Sequence, residues 1–591
     1  MLKNRSSIDK KDKWSIELIF EDIGSWQKAF EDIKRSKSLL HYKGKLKDSN
    51  ILLECIKKYF EISRVIEKLY VYAHLLYDVD LSNEEAKNIY GKISSLYHEF
   101  EAENSFLEPE ILHIDTKILN GILKDDKFKD YRFYLEKLIR LKKHTLGFEE
   151  ELILKRAGKC LQSVSLAFNL LNNVDFKFEN AKDSKGKEHV LTHSTYLLYL
   201  RSDDRVLRKE TFEKVHKKFD EFSNTISELL YGVVKNASFE SKSRNYKSSL
   251  EASLYPKNID LDVYDNLLDT VRKNIKALHK FVSFKKRALK LDKVHLYDLY
   301  APIVKEIDFK ATKDEAIQMV IDSVKPLGRD YQNILQKALT DERWVDFYPT
   351  NNKRSGAYSS GCYDSYPYML INYEGSLNDV LTLAHEAGHS MHSYLSNKNQ
   401  PYQYAGYPIF LAEIASTFNE KLLIEYLLEK KNKKEEKLFL YIQQLDSINA
   451  TLFRQTLFAD FEKKIHEFEE KDIPITSNLL KKTYLELYKF YYGEDFYLDD
   501  LLKVEWARIP HFYSDFYVYQ YAVGISTSLY FYDQVKKNNN VDNYLNFLKS
   551  GGSDYPVNTL LKANCDVKSP KVVEKAIGYF EEILNKVENL L

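Results

Sequence analysis

Long runs of helical periodicity constrain the fold of this chain more than any other feature of its sequence. The segment LLECIKKYFEISRVIEKLYVYAHLLYDVD (52–80) carries apolar residues at helical spacing with few helix breakers, and most of the chain has the same character. At 591 residues the chain exceeds the size at which a single hydrophobic core keeps growing. We therefore expect a mainly α-helical protein with at least two structural units, or one large helical body with several cores.

The helical period changes between residues 173 and 191. The runs VDFKF and HVLT flank the polar, Gly-containing stretch DSKGK, a pattern that predicts a small β-hairpin. No low-complexity linker follows it. We place a domain boundary there, with a helical N-terminal domain over residues 1–195 that ends in the hairpin and a second helical domain over residues 196–591.

Charge and cysteine content exclude several classes of function. Lys plus Arg and Asp plus Glu both total 88, so no net field favours nucleic acid or an anionic membrane as a partner. The absence of CxxC spacing argues against a thiolate zinc site and a disulfide scaffold. No secretory signal and no run of about 18 apolar residues is present. We expect a cytoplasmic protein, and the sequence does not indicate its oligomeric state.

The stretch LTLAHEAGHSMH (381–392) contains the residues that predict a metal site. A helix places His385 and His389 on one face, with Glu386 directly after the first histidine. A capping box formed by Ser376 and Asp379 predicts the start of this helix. Upstream, SYPYMLINY predicts a strand over 365–373. An HExxH motif is catalytic when its helix follows a strand and a turn in this way.

A catalytic zinc needs a third protein ligand. From Ser390 to Ala412 the chain has no acidic residue and one histidine, His392, which lies one turn beyond His389. A metzincin would have its third histidine at the position of Leu395. The first carboxylate is Glu413, beside the apolar stripe of a second predicted helix, where a carboxylate is costly unless it is paired or bound to metal. We therefore predict one zinc ion per chain, held by His385, His389 and Glu413.

Two further polar residues follow Glu413 on the same predicted helix. Ser416 and Glu420 lie one and two turns beyond it. From there they could orient the metal ligands.

These motifs resemble the thimet oligopeptidase family of zinc peptidases, and within it the oligoendopeptidase F group. The resemblance rests on LTLAHEAGHSMHS, on AEIASTFNE and on RIPHFYSDFYVYQYAVGIS, and it covers residues from about 195 to the end of the sequence. It implies that 196–591 is the catalytic domain and that the helices enclose a deep substrate cleft, with small β elements beside the HExxH helix. One departure is LLKANCDVKSP, where Asn564 and Cys565 replace a glycine and an apolar residue.

The expected mechanism is metal-assisted hydrolysis. Zinc lowers the pKa of water toward about 7. Glu386 then accepts the water proton and passes a proton to the leaving amine. By the resemblance, a histidine and one or two tyrosines of RIPHFYSDFYVYQYAVG bind substrate and stabilise the tetrahedral intermediate. We favour His511 with Tyr519, and keep Tyr517 and Tyr513 as alternatives.

The predicted function is hydrolysis of internal bonds in short, unfolded oligopeptides. One alternative is a dipeptidyl carboxypeptidase, and another is a catalytically silent zinc-containing protein that binds peptides. Glu386 argues against the second alternative, since a structural zinc needs no general base. The run 366–373 either offers an edge to an extended substrate or forms an interior strand.

Overall fold

The structure is a computed structural model that describes residues 3–304, 309–537 and 539–591. Helices make up 71% of the chain and strands 3%, which confirms the predicted mainly α class. Among the described residues, no helix has both the length and the apolar content needed to cross a membrane. The deep cleft that the family resemblance implies stays a prediction.

Contacts between residues divide the chain into two compact units. Unit 1 comprises Met1–Thr145, Phe309–Lys430 and Phe531–Cys565. Unit 2 comprises Leu146–Asp308, Lys431–Tyr530 and Asp566–Leu591. This division groups the first part of the predicted N-terminal domain with the HExxH region, and the predicted domain boundary at residue 195 stays a prediction.

Unit 1 begins with six helices. Their bounds are α1 Ile23–Ser36, α2 Ser49–Asp78, α3 Glu84–Glu103, α4 Leu107–His113, α5 Thr116–Lys124 and α6 Arg132–Leu141. Their apolar faces form one core, in which the buried indole of Trp26 donates a hydrogen bond to the Leu69 carbonyl at 2.9 Å. Tyr368 and Leu370 of the HExxH region belong to the same core, and the Tyr368 hydroxyl donates to the Ser15 carbonyl at 2.8 Å. The N-terminal helices therefore support the region that carries the motif.

The rest of unit 1 contains a small sheet and seven helices. Before and within the sheet the elements are α15 Lys313–Ser323, α16 Arg329–Leu339, β3 Val345–Asp346, β4 Tyr358–Ser360 and β5 Tyr368–Leu370. After it come α17 Leu377–Asn399, α18 Tyr402–Ala405, α19 Ile409–Lys430, α24 Asp542–Ser550 and α25 Pro556–Lys562. Strand β5 lies in the middle, parallel to β3 and antiparallel to β4. The strand predicted over 365–373 is present only at Tyr368–Leu370, where it is an interior strand, and the alternative of a free edge there is wrong.

Helix α17 carries the HExxH motif and begins where the sequence predicts. The Ser376 hydroxyl accepts from the Asp379 amide at 3.2 Å, and the Asp379 carboxylate accepts from the Ser376 amide at 2.9 Å. Helix α24 covers α17 and α19, since Phe547 packs on His392 and Tyr544 stacks on Phe418 with ring centroids 4.0 Å apart. The capping box is confirmed, and the motif helix lies inside the packed body of unit 1.

Asn564, at the end of unit 1, adopts the left-handed conformation with φ of 57°. Asparagine is the residue that tolerates this conformation best after glycine. The replacement of the glycine expected from the family resemblance is therefore compatible with the same turn.

In the part of unit 2 that the structure describes, the secondary structure is helical apart from one hairpin. Its elements are α7 Phe148–Leu161, α8 Ser163–Leu170, β1 Ala181–Lys182, β2 Glu188–His189, α9 His193–Leu200, α10 Arg205–Glu221, α11 Ser223–Ser243, α12 Ser249–Leu254, α13 Leu261–Lys273, α14 Lys276–Ala288, α20 Lys434–Ile448, α21 Arg454–Glu470, α22 Ser477–Tyr492 and α26 Pro570–Leu590. Helix α23, Tyr519–Lys537, contains the boundary between the units. The predicted hairpin is present: β1 and β2 pair antiparallel around the turn 183–187.

A buried ion pair organises the interior of unit 2. The Glu505 carboxylate is inaccessible to solvent and accepts hydrogen bonds from Arg454, from Tyr484 at 3.0 Å and from Tyr488 at 2.5 Å. The Arg508 guanidinium lies 3.4 Å from it. Buried charges need such partners, because an unpaired buried charge is costly.

Candidate active site

The three predicted metal ligands lie together in unit 1. His385 and His389 come from α17, and Glu413 comes from α19, which follows after the short helix α18. The two Nε2 atoms are 3.2 Å apart, and Glu413 Oε2 lies 3.6 Å from His385 Nε2 and 3.8 Å from His389 Nε2. Among the residues that the structure describes, these three alone form a group of at least three such side chains with metal-ligand spacing.

The spacing of the three atoms fits a single ion. Ligand atoms about 2.0–2.1 Å from a tetrahedral zinc lie roughly 3.3–3.4 Å from one another. The observed separations of 3.2, 3.6 and 3.8 Å are close to this value. Two histidines and one carboxylate are also the donor set of a catalytic zinc site, in which a fourth position stays open. Both geometry and donor chemistry therefore suit a metal ion.

Polar groups next to the three ligands contact their side chains. The Nδ1 atom of His385 is 2.5 Å from Glu420 Oε1, and in the neutral ring this bond holds the proton on Nδ1 and leaves Nε2 as the metal-binding nitrogen. The backbone of Ala412 lies beside His389 and acts to raise its pKa, against the larger effect of burial. The Ser416 hydroxyl, fully buried, donates to Glu413 Oε2 at 3.1 Å. Ser416 and Glu420 make the contacts that the sequence predicts, and such supporting bonds hold ligands in a fixed direction.

Carboxylates dominate the electrostatics around the histidines. Burial lowers the pKa of His385, but Glu420, Glu386 and Glu413 outweigh it and raise that pKa to about 8. Burial and the neighbouring His385 lower the pKa of His389 to about 4. Burial raises the pKa of Glu386 to about 7 against the opposing charge of His385. The surroundings therefore favour the charged form of His385 and the neutral form of His389.

The close crossing of α17 and α19 brings the ligands together. Gly388 lies between the two histidines in sequence, and a Cβ atom there would be 2.5 Å from the Ala415 carbonyl oxygen and 2.7 Å from Ser416 Cα. Real Cβ atoms essentially never come so close. The glycine of HEAGH is a sequence signal for a close helix crossing. The sequence does not identify the second helix, α19, that this glycine contacts.

The residues predicted to bind substrate lie in unit 2, and the structure separates them into two environments. The rings of His511, Tyr517 and Tyr521 form one group, with centroids 6.0 Å apart for His511 and Tyr517, 5.9 Å for His511 and Tyr521, and 5.4 Å for Tyr517 and Tyr521. All three side chains are half-buried. Tyr519 is 1% exposed, with its ring 5.1 Å from that of Tyr264.

The favoured tyrosine of the sequence therefore lies in the core, and Tyr521, which the sequence did not single out, joins the group. Tyr513 stacks on Phe168 with centroids 3.9 Å apart. Burial lowers the pKa of His511, which keeps its ring neutral near pH 7. The alternation of tyrosines at 513, 517, 519 and 521 gives no sequence signal that distinguishes the accessible rings from the buried ones.

Comparisons with known proteins show the family. The family model described as peptidase family M3 matches residues 198–579. The chain belongs to peptidase family M3. A second model of this group, described as oligopeptidase F, matches residues 110–178.

Relatives in family M3 align along the whole chain. Oligopeptidase PepF of Bacillus subtilis is 40% identical and covers 100% of this chain and 89% of its own length. An oligoendopeptidase F homolog of Borreliella burgdorferi is 37% identical over 99% of both chains. The crystal structure of oligoendopeptidase-F from Enterococcus faecium has a TM-score of 0.73 at 33% identity, with 96% of this chain and 98% of that chain covered. Membership of family M3 makes this protein a peptidase, of a family of metallopeptidases.

Proposed function

We propose that this peptidase is a zinc-dependent endopeptidase that hydrolyses internal bonds of short, unfolded oligopeptides. The observation that carries the proposal is the convergence of His385, His389 and Glu413 at 3.2–3.8 Å, where Glu420 supports His385 and Ser416 supports Glu413. Relatives named oligoendopeptidase F align along the entire chain and support the choice of oligopeptides as substrates. The wide spacing of the four cysteines in the sequence fits the cytoplasmic location that the sequence predicts.

The proposed roles of the chain's own residues follow from their positions. When bound at His385, His389 and Glu413, zinc supplies a Lewis acid and lowers the pKa of water toward about 7. Glu386, next to a ligand and 7% exposed, accepts a proton from the attacking water and donates it to the leaving amine nitrogen. Because Glu386 is buried, bulk water is excluded from its carboxylate. The electrostatic interaction of this carboxylate with nearby charges is therefore stronger.

His511, Tyr517 and Tyr521 are proposed to bind substrate and to donate hydrogen bonds to the carbonyl oxygen as negative charge develops. The family resemblance and the grouping of the three rings support this role. The grouping favours Tyr521 over Tyr519 as the second tyrosine, because the Tyr519 ring is buried against Tyr264.

Metal analysis and peptide cleavage test the proposal together. Purified protein should contain one zinc per chain, and Glu413→Ala should lose most of it. Glu386→Gln should retain the zinc and hydrolyse a fluorogenic peptide about 100- to 10,000-fold more slowly. A Glu386→Gln variant as fast as the wild type, or full zinc occupancy in Glu413→Ala, would contradict the mechanism.

The mode of cleavage needs a separate experiment. Peptides of about five to forty residues, each with and without a C-terminal amide, should be cut internally whether or not the end is capped. A stable folded protein should remain intact, since unfolding it costs about 5–15 kcal/mol. Loss of activity on capped peptides would instead indicate a dipeptidyl carboxypeptidase, and rapid degradation of the folded protein would exclude an oligopeptidase.

A further inference from the structure

We infer that strand β4 is a positioning element for Glu386, and that the backbone N–H of Ser359 is the donor that aims the Glu386 carboxylate. The inference rests on the proposed function, in which Glu386 is the general base. It assigns a task to a part of unit 1 that contributes no metal ligand.

The pairing of β4 leaves the Ser359 amide free. Ser359 lies opposite Met369 of β5, in an antiparallel ladder. The Met369 amide donates away from β4, to the Trp344 carbonyl at 2.8 Å. In an antiparallel pair, residues opposite each other either exchange both backbone hydrogen bonds or point both groups outward. Ser359 and Met369 are therefore an outward-pointing pair, and the N–H of Ser359 lies on the free edge of the sheet.

Glu386 lies beside this outward-pointing amide. The Ser359 backbone N–H acts to lower the pKa of the Glu386 carboxyl, against the larger effect of burial. The Ser359 hydroxyl is also 2.8 Å from the hydroxyl of Ser390, which is fully buried one turn beyond Glu386 on α17. The side chain and the backbone amide of Ser359 therefore both lie against the stretch of α17 from Glu386 to Ser390.

The other face of β4 is attached to helix α2. Side chains alternate between the two faces of a strand, so Tyr358 and Ser360 point opposite to Ser359. The Tyr358 hydroxyl donates to Asp78 at 2.8 Å, and the Ser360 hydroxyl lies 2.9 Å from His74 Nε2. Asp78, which is 4% exposed, holds His74 at 3.3 Å. Strand β4 is thus held between α2 and α17.

This arrangement has a direct consequence for proton transfer. A general base must stay within hydrogen-bond reach of the proton that it abstracts, and a misplacement of about 1 Å can cost roughly 100-fold in rate. A carboxylate with a fixed backbone donor on one oxygen presents its other oxygen in a constant direction. Ser359 is a positioning residue in this sense, and it touches no reacting atom.

Two substitutions at one position separate the amide from the hydroxyl. Ser359→Pro removes the N–H, and proline is tolerated where an edge-strand N–H faces away from its partner strand. Ser359→Ala keeps the N–H and removes the hydroxyl. We expect kcat of Ser359→Pro to fall about 10- to 100-fold below that of Ser359→Ala, with equal zinc content in both proteins. Equal kcat values for the two variants would overturn the inference.

A double-mutant cycle tests whether the effect acts through Glu386. In the Glu386→Gln background, Ser359→Pro should lower kcat by less than twofold relative to Ser359→Ala, because the base that it positions is already lost. A full additive loss would mean that the amide acts elsewhere, and would overturn the inference. If Glu386→Gln alone leaves kcat unchanged, the proposed function fails, and this result is distinct from the result for Ser359.

Substitutions on α2 test the positioning of β4 in a second way, without changing the backbone of the strand. His74→Leu removes both ring hydrogen bonds and should lower kcat about threefold to tenfold, again without loss of zinc and without additivity to Glu386→Gln. Lys57→Ala, at an exposed position on the same helix, is the matched control and should leave kcat unchanged. A kcat for His74→Leu equal to that of Lys57→Ala would overturn the role of α2.

Discussion

Gly388 and Ala415 are in contact through backbone atoms: a Cβ atom on Gly388 would lie 2.5 Å from the carbonyl oxygen of Ala415. Helices α17 and α19 can approach this closely only because no side chain stands between them. Glu413 lies two residues before Ala415, and the histidines lie three residues before and one residue after Gly388. The separation of the metal ligands is therefore set at this crossing.

Gly388→Ala should separate the two helices and weaken metal binding. Overpacking of this kind costs typically about 1–3 kcal/mol of unfolding free energy, and the shift also moves Glu413 away from the histidines. Zinc affinity, measured by competition with a chelator, should fall together with the thermal midpoint. Gly91→Ala is the control: Gly91 is exposed on α3 with open space around it, so alanine there should be neutral or slightly stabilising. A Gly388→Ala protein with wild-type zinc affinity would contradict this account of the crossing.

Glu420 should contribute to zinc affinity without binding the ion. Its carboxylate is 2.5 Å from His385 Nδ1, and loss of such a supporting bond typically costs 10- to 100-fold in affinity or activity. Glu420→Gln should show a loss in this range in a chelator competition. Glu429→Gln, at an exposed position on the same helix, should bind zinc as the wild type does. Equal affinities for the two variants would remove Glu420 from the metal centre.

The two tyrosine environments predict an order of effects on catalysis. Tyr517→Phe and Tyr521→Phe remove hydroxyls from the half-buried group around His511, and each should lower kcat by about 10- to 1000-fold if it donates to the developing charge. Tyr519→Phe should have the smaller effect, since its ring packs against Tyr264. Steady-state kinetics on one peptide measure all three variants. A Tyr519→Phe defect larger than that of Tyr521→Phe would restore the assignment that the sequence favours.

Acid should destabilise unit 2 through Glu505. Burial would raise its pKa, but Arg454 and Arg508 outweigh burial and hold it at about 2. Glutamate in an unfolded chain has a pKa of about 4.3. Because the folded value is the lower one, this contribution is complete above about pH 4.3 and is lost as the pH falls toward 2.

Urea unfolding between pH 5 and pH 2.5 measures this dependence. The wild-type midpoint should fall across the range. Glu505→Gln should be less stable at pH 5 by about 3–5 kcal/mol, since Arg454 loses its buried partner, and its midpoint should change less with pH. Glu494→Gln, exposed in the same unit, should follow the wild type. An identical pH dependence in Glu505→Gln would show that this carboxylate is not responsible.

Local sequence patterns predict the parts of this protein that depend on helical spacing. The pairing of His385 with His389 and the capping box at Ser376 follow from positions three and four residues apart, where a helix leaves little freedom. Glu413 could be identified because no acidic residue precedes it between the motif and its helix. The mainly α class follows from the same periodicity.

Contacts between segments distant in sequence could not be predicted in the same way. Which of Tyr517, Tyr519 and Tyr521 is accessible depends on Tyr264, more than 250 residues earlier. The interior position of β5 depends on the parallel partner β3, and period-two alternation is the same for an edge and an interior strand. The backbone donor of Ser359 has no side-chain signature at all.

The discontinuous composition of unit 1 has a consequence for the order of its assembly during synthesis. All three metal ligands and both residues that orient them are translated within 36 residues, from His385 to Glu420. Helix α24, whose Phe547 and Tyr544 cover this region, emerges from the ribosome more than 100 residues later, after most of unit 2. A nascent chain therefore holds the complete ligand set while the apolar faces of α17 and α19 are still uncovered. Over that interval these uncovered apolar faces are open to aggregation, as transiently exposed apolar surface generally is.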